Sequence, residues 1–506
     1  MAVLDFLFLI IIILLPFWYF SKNRKQRRRI IEALEKFKGD PWYPILGTAW
    51  SQVFVRKEDL FDQMYNRPEK YGPIYRSWVG SEPLIHLTKA KHAEILLKSS
   101  VNIKKGKNYE FVRSFLGDGL ITGHGEQWQR HRKLITPAFH FKILDGFQDI
   151  FSEKSQMLVE ELQPLADGKF FDIYSHITHC ALDIICETAM GVKINAMQCF
   201  DSEYIKAIYR IAEIILYRWF RPWLHSDFIF KHSPVGKEHD KLIRIVHDFV
   251  ESVIEDRKKE LENSKGITEV SEEDRLLGKK KKMAFLDLLL LQNVGKNELS
   301  DKEIREEVDT FMFAGHDTTT SSVCWTLFSL GNYPEIQEKI HEEIDSIFHG
   351  EDRPFTPDDV AKLQYTERVI KETLRLYAVV PYILRYLVED IELEGVTIPA
   401  GVTVAIHITN LHKDPEQFPD PHRFDPDRFL PENVSKRNPY SHIPFSAGPR
   451  NCLGQKFASR SAKTMVASIL RKYKVKSQVK PSEMKYFGTM LLKPQGGLRI
   501  SLEPRV

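Results

Sequence analysis

The hydrophobic positions of the chain follow helical spacing over most of its length and strand spacing in only two places. Apolar residues recur every three or four positions, which puts them on one face of a helix, and three stretches show this best: 147–162, 243–261 and 301–332. Strand character appears at 74–87 and at 391–406, where the tripeptide PAG at 399–401 indicates a turn. The pattern predicts a mainly α fold with a small β region.

The first twenty residues are continuously apolar apart from Asp5. A helix of ~20 apolar residues crosses the hydrocarbon core of a bilayer, and positive charge beside such a span stays on the cytoplasmic side. Basic residues follow directly: Lys22, Arg24, Lys25, Arg27, Arg28 and Arg29. We therefore predict a transmembrane signal anchor over 1–20, with the rest of the chain on the cytosolic face of the endoplasmic reticulum membrane. The alternative is a cleaved signal peptide, but such a peptide carries its charges before the apolar run.

The other boundaries follow from proline content. The segment 40–47 (DPWYPILG) has two prolines and a glycine, which predict a stiff turn. We expect 21–47 to be a basic stop-transfer segment with a proline-containing hinge, and 48–506 to be one large domain. The aromatic run 217–223 (YRWFRPW) is interpreted either as core packing or as a loop that dips into membrane lipid.

Composition excludes several classes of protein. The 506 residues are 43% hydrophobic and 28% charged, with a formal net charge of only +3, so no nucleic-acid partner is expected. The cysteines are odd in number and form no CxxC pair, which argues against a disulfide framework and against a structural zinc site. They are Cys180, Cys186, Cys199, Cys324 and Cys452.

Cys452 stands apart because of the segment around it, 444–458 (PFSAGPRNCLGQKFA). Glycines allow the backbone to approach a flat ligand closely. A helix is predicted to begin directly after the cysteine, and a thiol at a helix N-terminus with a cation nearby has a lowered pKa. A thiolate held in this way is a good iron ligand. The residues that define the pattern are Phe445, Gly448, Arg450, Cys452 and Gly454.

The predicted helix 301–332 contains AGHDTTTSS at 314–322. A glycine followed by hydroxyl residues is poor helix material, since glycine alone costs ~1 kcal/mol relative to alanine and hydroxyls can bend a helix. An acid beside an alcohol, Asp317 and Thr318, can order water and pass protons. His316, next to this pair, is expected to have no catalytic role.

The cysteine segment and this helix together resemble the cytochrome P450 family, over essentially the whole chain. The strings EVDTFMFAGHDTT at 307–319 and LDIICETAMG at 182–191 are similar to family 4, whose members are often fatty-acid ω-hydroxylases, and several features resemble insect microsomal members. The resemblance implies the cytochrome P450 fold, haem b with Cys452 as the axial iron ligand, and proton delivery to oxygen by Asp317 and Thr318.

The same resemblance assigns residues to the support of the haem. Glu372 and Arg375 lie one helical turn apart, and with Arg428 they match a Glu–Arg–Arg trio that the family buries behind the haem loop. Bidentate contacts in such a trio would hold the loop rigid, so we expect a structural role. The residues matched to the haem propionates are Trp128 and Arg132, at i,i+4 spacing on one helix face, with Arg385 and Arg450.

One position departs from family 4. Many members carry glutamate immediately before the glycine of GHDTT, and that carboxylate can form an ester to a haem methyl. Ala314 stands there in this chain. A methyl side chain has no nucleophile, so we expect non-covalent haem.

The implied activity is monooxygenation, the insertion of one oxygen atom from O2 into a lipophilic substrate: a fatty acid, hormone-like terpenoid, hydrocarbon or xenobiotic. The implied partners are NADPH-cytochrome P450 reductase and, as an accessory donor, cytochrome b5. We expect the pocket around Val112, Leu216, Phe313 and Met490. The alternatives are a haem-thiolate isomerase or dehydratase that needs no reductase, and a non-enzymatic haem or lipid carrier; the Asp317–Thr318 pair argues against both.

Overall fold

Helices make up most of the chain, as the hydrophobic pattern predicts. The computed structural model describes residues 24–43, 47–48, 50–53, 55–139, 141–198, 202–263, 284–296, 299–488 and 490–505. Its α-helices are α1 (Arg24–Leu34), α2 (Trp50–Val53), α3 (Lys57–Tyr65), α4 (Arg67–Tyr71), α5 (Ala90–Leu97), α6 (Arg113–Leu116), α7 (Gly125–Ile135), α8 (Phe141–Gly146), α9 (Gln148–Leu162), α10 (Tyr174–Ile185), α11 (Glu203–Trp219), α12 (Asp227–His232), α13 (Pro234–Asn263), α14 (Phe285–Lys296), α15 (Asp301–Asn332), α16 (Pro334–Phe348), α17 (Pro357–Lys362), α18 (Gln364–Leu376), α19 (Ile408–His412), α20 (Pro431–Val434) and α21 (Gln455–Lys472).

The β structure is small and divided among four sheets. Its strands are β1 (Ile74–Val79), β2 (Glu82–Leu87), β3 (Phe171–Asp172), β4 (Tyr382–Tyr386), β5 (Ile391–Leu393), β6 (Val396–Ile398), β7 (Thr403–His407), β8 (Tyr473–Ser477), β9 (Tyr486–Gly488), β10 (Leu492–Pro494) and β11 (Arg499–Pro504). The largest sheet has the order β1-β2-β7-β4, and the others are β3-β11-β8, β10-β9 and β5-β6. The mainly α fold with a small β region is thus confirmed.

The large sheet is held by pairings between distant parts of the chain. β1 and β2 form an antiparallel hairpin in the register Ile74↔Leu87, and β2 pairs in parallel with β7 in the register Leu84↔Thr403. The predicted turn at 399–401 lies between β6 and β7, as expected, while β5 and β6 form an additional hairpin that the sequence analysis did not separate. This sheet brings the 380–385 segment beside the cavity described below.

The predicted helix over 301–332 is confirmed as α15. A capping box begins it: the Ser300 hydroxyl accepts the backbone N–H of Glu303, and the Glu303 carboxylate accepts the N–H of Ser300 at 2.9 Å. The helix stays α-helical through the hydroxyl-rich run, in which Thr318 and Thr319 donate to the carbonyls one turn back, Thr319 to Gly315 at 2.8 Å.

Gly315 is required at its place by a close helix contact. A Cβ atom at this position would lie 2.6 Å from the side chain of Ile185, at the end of α10. The absence of a side chain lets α10 pack directly on α15, and residues of both helices line the same cavity.

The predicted membrane anchor at 1–20 lies outside the described residues. Among the residues that are described, no helix has the length and the apolar character needed to cross a membrane. Within the predicted stop-transfer and hinge segment, α1 buries Ile30, Ala33 and Leu34 against the large sheet. This helix was not predicted from the sequence, because its many basic residues leave too few apolar positions to show helical spacing.

Candidate active site

A cavity of about 360 Å³ lies between α15 and the cysteine segment. The wall includes the side of α15 from Thr310 to Ser322 and the segment from Pro444 to Ala458. The four residues around which the pocket was predicted, far apart in the chain, all line it: Val112, Leu216, Phe313 and Met490. Residues of the hydroxyl-rich run of α15 and of the cysteine segment line the same cavity, so the two motifs share one chamber.

The Cys452 side chain faces the cavity, where it is open to the chamber and enclosed by protein on its other sides. Its backbone N–H donates to the carbonyl of Phe445, which also lines the cavity, at 2.9 Å. The predicted helix start directly after the cysteine is wrong, since α21 begins at Gln455.

The predicted lowering of the thiol pKa is not found either. Burial raises the pKa of Cys452, against the opposing effects of the Gly454 backbone N–H and the Arg132 guanidinium. The cation that favours the thiolate is thus Arg132 rather than the predicted Arg450. A bound metal ion deprotonates a coordinating thiol outright, so a ligand role does not depend on a low pKa of the free thiol.

The two glycines of the cysteine segment have different roles. Gly454 lines the cavity, and a Cβ atom there would lie 4.0 Å from the Cys452 Sγ. Gly448, predicted to approach a flat ligand, is not among the cavity-lining residues. It has a left-handed backbone with φ of 72°, and a Cβ atom there would lie 1.9 Å from the carbonyl oxygen of Leu97. A glycine is needed at position 448 because the backbone packs closely against the end of α5. This contact, and not the approach to a flat ligand, is the role that the structure gives to Gly448.

Positive charge is concentrated at one edge of the cavity. Arg132 donates to the backbone and the side-chain oxygen of Asn451 at 3.0 and 2.8 Å, which ties α7 to the residue before the cysteine. Arg450 donates to the carbonyls of Gly123 at 2.9 Å and Ile121 at 3.3 Å. Its guanidinium carbon lies 4.3 Å from the ring centroid of Trp128.

Two more cations complete this edge. Lys105 lines the cavity. Arg385 is buried and does not line the cavity, but its backbone forms a β-bridge with the backbone of Lys105. The sequence analysis missed Lys105, because nothing in the sequence distinguishes it from the nearby Lys104 and Lys107. Burial, and then the charges of Arg385 and Arg450, hold the pKa of Lys105 well below its usual range.

This edge fits a dianionic ligand. Within the described part of the chain, none of the four cations forms an ion pair with a carboxylate: Lys105, Arg132, Arg385 and Arg450. Buried charge is costly without a counter-charge, and burial lowers the pKa of Arg385 as well. The two propionates of a haem would supply that charge.

The opposite wall comes from α15. Ala314, Gly315, Thr318 and Thr319 all face the cavity, and the Thr318 hydroxyl donates to the Ala314 carbonyl at 2.7 Å. A hydroxyl has a single hydrogen, so Thr318 keeps lone pairs available to accept a hydrogen bond from the cavity.

Asp317 points away from the cavity. The buried carboxylate contacts the ammonium of Lys493 on β10, and this ammonium also donates to the Tyr174 hydroxyl at 2.7 Å. His316, equally buried, bonds the Met312 carbonyl and does not line the cavity. The structure therefore brings Thr318 to the site and leaves Asp317 in an ion pair behind it.

The predicted Glu–Arg–Arg trio is assembled. The Arg375 guanidinium donates to both oxygens of Glu372, at 2.7 and 2.8 Å, and both side chains are fully buried. Arg375 also donates to the carbonyls of His412 and Pro421, while Arg428 lies 3.5 Å from Glu372. Because these contacts join α18 to the chain that leads to the cysteine segment, the trio holds that segment in place.

A second pocket, of about 330 Å³, lies beside the first. Its wall combines apolar residues of α3 and α11 with Arg210, Glu213 and Arg221. Leu216 lines both pockets.

The chain was compared with known proteins. The family model described as Cytochrome P450 matches residues 38–502. The chain is 42% identical over 506 residues to "Cytochrome P450 4c21" of Blattella germanica, with all of both chains covered. It is 41% identical over 491 residues to "Cytochrome P450 4c3" of Drosophila melanogaster, covering 95% of this chain and 91% of that protein. It is 43% identical over 466 residues to "Cytochrome P450 4V2" of Homo sapiens, covering 92% and 88%. The predicted resemblance to family 4, insect members included, is confirmed.

The trio gives a prediction about stability. Arg375→Leu should lower the free energy of unfolding by about 3–5 kcal/mol, because it leaves the Glu372 carboxylate buried without its bidentate partner. Arg428→Leu is the matched control and should cost clearly less, since its contact with Glu372 is 3.5 Å long. Urea unfolding followed by circular dichroism measures both. Equal losses for the two variants would contradict this ranking.

Proposed function

Because the chain belongs to the cytochrome P450 family, whose members are monooxygenases that bind haem b through a cysteine thiolate, we propose that Cys452 supplies this thiolate and that the 360 Å³ cavity holds haem and substrate. The protein is a haem monooxygenase that acts on lipophilic substrates. The single observation that carries the site assignment is that Cys452 faces the same chamber as Thr318 of α15. When bound, the haem supplies the iron at which O2 is activated, and the thiolate donates electron density to it.

Thr318 and Asp317 have distinct proposed roles. The Thr318 hydroxyl lies at the cavity wall, where it can accept a hydrogen bond from a water molecule and pass a proton into the cavity. Asp317 is the neighbouring acid. To reach the cavity its side chain must leave Lys493, so proton delivery by Asp317 requires that ion pair to open.

At the edge of the haem, Trp128, Arg132, Arg385 and Arg450 are proposed partners of the propionates, and Lys105 joins them. Phe445 and Gly454 border the thiolate. Ala314 lines the cavity but offers no nucleophile, so the haem is held without a covalent bond to this residue.

The proposed electron donor is NADPH-cytochrome P450 reductase, with cytochrome b5 as an accessory donor. Exposed lysines lie on the cysteine side of the molecule, Lys133 near the end of α7 and Lys456 at the start of α21. An acidic partner surface would be attracted to these charges, and salt would screen the attraction.

The proposed location is the endoplasmic reticulum membrane, with 1–20 as the anchor, 21–47 as stop-transfer segment and hinge, and 48–506 on the cytosolic face. Apolar side chains are exposed near the end of α11 and in α12: Trp223 at 44%, Phe228 at 74% and Ile229 at 49%. The run 217–223 is divided, because Phe220 is buried while Tyr217 and Trp223 are exposed. Exposed aromatic residues of this kind favour contact with membrane lipid.

The wall of the cavity favours lipophilic substrates, because aliphatic and aromatic side chains dominate it outside the cationic edge. Fatty acids, hormone-like terpenoids, hydrocarbons and xenobiotics all belong to this class. Hydroxylation is the proposed outcome for each of them.

The thiolate assignment is tested by Cys452→Ala. The variant should lose the red-shifted Soret band of the reduced carbonyl complex, because the iron then has no thiolate ligand. The control is Cys324→Ala, a buried cysteine of α15 that does not line the cavity and whose loss should leave the band in place. Persistence of the band in folded Cys452→Ala would refute the assignment.

The proton-delivery role is tested by Thr318→Ala. NADPH consumption should continue but should be diverted to hydrogen peroxide, because the cavity then lacks the hydroxyl that delivers protons. Thr318→Ser, which keeps the hydroxyl, should retain coupling. The measurement is the ratio of peroxide to NADPH consumed, with a lipophilic ligand that produces a substrate-binding difference spectrum. An unchanged ratio in Thr318→Ala would remove this residue from the mechanism.

Non-covalent haem is tested by acid denaturation after turnover, followed by chromatography. The haem should separate completely from the polypeptide, because Ala314 cannot form an ester. Ala314→Glu should retain part of the haem on the chain, and Ala314→Gln, of similar size without a carboxylate, should not. Haem retained by the unmodified protein would contradict the expectation.

A further inference from the structure

His131 lies buried in α7 between two carboxylates of α15. Its Nδ1 is 2.7 Å from an oxygen of Glu307, and its Nε2 is 3.2 Å from an oxygen of Glu303. Glu307 is fully buried, and Glu303 is partly exposed at the outer end of the contact. Neither residue lines the cavity, and the roles proposed above do not use them.

The two carboxylates that face the two ring nitrogens favour the charged form of this histidine. An ionised carboxylate accepts hydrogen bonds and donates none, so each one favours an N–H on the nitrogen that it contacts. Burial opposes that charge, but the bonds and charges of Glu307 and then Glu303 outweigh it and raise the pKa of His131.

Other charged groups surround the contact. From α7, Arg130 bonds Glu303 and lies 3.4 Å from the His131 Nε2. From α15, burial raises the pKa of Glu307 and the Glu306 carboxylate adds to that rise, while the hydrogen bond and the charge of His131 oppose it. Lys302 lies 3.6 Å from Glu306. The charges of His131 and Glu307 therefore support each other.

The contact joins α15 to the cationic edge of the cavity along two routes. The second oxygen of Glu307 accepts the backbone N–H of Leu120 at 3.1 Å, at the start of the segment 120–123 whose carbonyls Arg450 binds. The other route is α7 itself, since His131 immediately precedes Arg132. Displacement of His131 would thus disturb both cations that line this edge near Cys452.

We propose that His131 is a positioning residue: as an imidazolium clamped by Glu307 and Glu303, it holds Arg132 and the segment 120–123 against the edge of the haem. The inference rests on the proposed roles of Arg132 and Arg450 toward the propionates. It identifies a polar contact outside the cavity that sets how firmly the cofactor is retained.

The test is the rate of haem transfer from the ferric holoprotein to excess apomyoglobin, measured from about pH 6 to about pH 9. A group with a raised pKa stabilises the folded state fully below its ordinary pKa and loses that contribution as pH rises through the raised value. The rate of haem transfer from the unmodified protein should therefore increase as pH rises through the raised pKa of His131. This increase is called the alkaline step below. His131→Gln should transfer haem about tenfold faster at neutral pH and should lack the alkaline step.

Glu303→Gln is the second variant, chosen because its partly exposed site tolerates the change. One carboxylate fewer lowers the pKa of His131, so the alkaline step should move to lower pH. His124→Gln removes an exposed histidine at the start of the same helix and should leave both the rate and the step unchanged.

Arg132→Gln separates this inference from the proposed function. If it accelerates transfer while His131→Gln and Glu303→Gln behave as the unmodified protein, the positioning role is wrong and the propionate assignment stands. If Arg132→Gln has no effect, the assignment fails and the inference fails with it. A shift of the step in Glu303→Gln supports the proposal even where His131→Gln does not fold.

Discussion

Buried positive charge needs a counter-charge, and this requirement organises the molecule around its cavity. Arg375 donates to both oxygens of Glu372, and His131 lies between Glu307 and Glu303. Arg385 and Arg450 have carbonyl partners and, within the described residues, no carboxylate. The protein thus neutralises some of its buried cations internally, and the proposed propionates would offset part of the remaining positive charge. The proposed propionate contacts would couple cofactor binding to folding, because they would remove an electrostatic cost that the polypeptide alone must bear.

Different sides of the long helix α15 carry different parts of the site. One side presents Ala314 and Thr318 to the cavity, and another directs Asp317 to Lys493. Its first turns carry Glu303 and Glu307 to α7. At Gly315 it admits α10 at a distance that no side chain would allow. A single rigid element therefore relates the oxygen side of the site, the acid behind it and the cationic edge, so that small movements of α15 act on all three.

Much of this arrangement could be predicted from the sequence, and the parts that could not depend on tertiary contacts. Residues close in sequence determine both ends of α15. A capping box at Ser300 begins the helix, and Pro334 already belongs to the next helix. Four of the residues that line the pocket were predicted from the sequence: Val112, Leu216, Phe313 and Met490. The direction of Asp317 was not, because it is set by Lys493, 176 positions away. The thiol pKa of Cys452 depends on burial, which spacing does not reveal. Lys105 has no distinguishing neighbours, and the role of Gly448 is set by the carbonyl of Leu97.

Leu216 belongs to both pockets, and this shared position has a consequence for substitutions in α11. The residue packs with Leu60 and Phe220 in a small core cluster, separate from the main core to which α15 belongs. A change in the volume of its side chain would therefore alter the shape of both pockets at once, while the packing of α15 in the main core is kept.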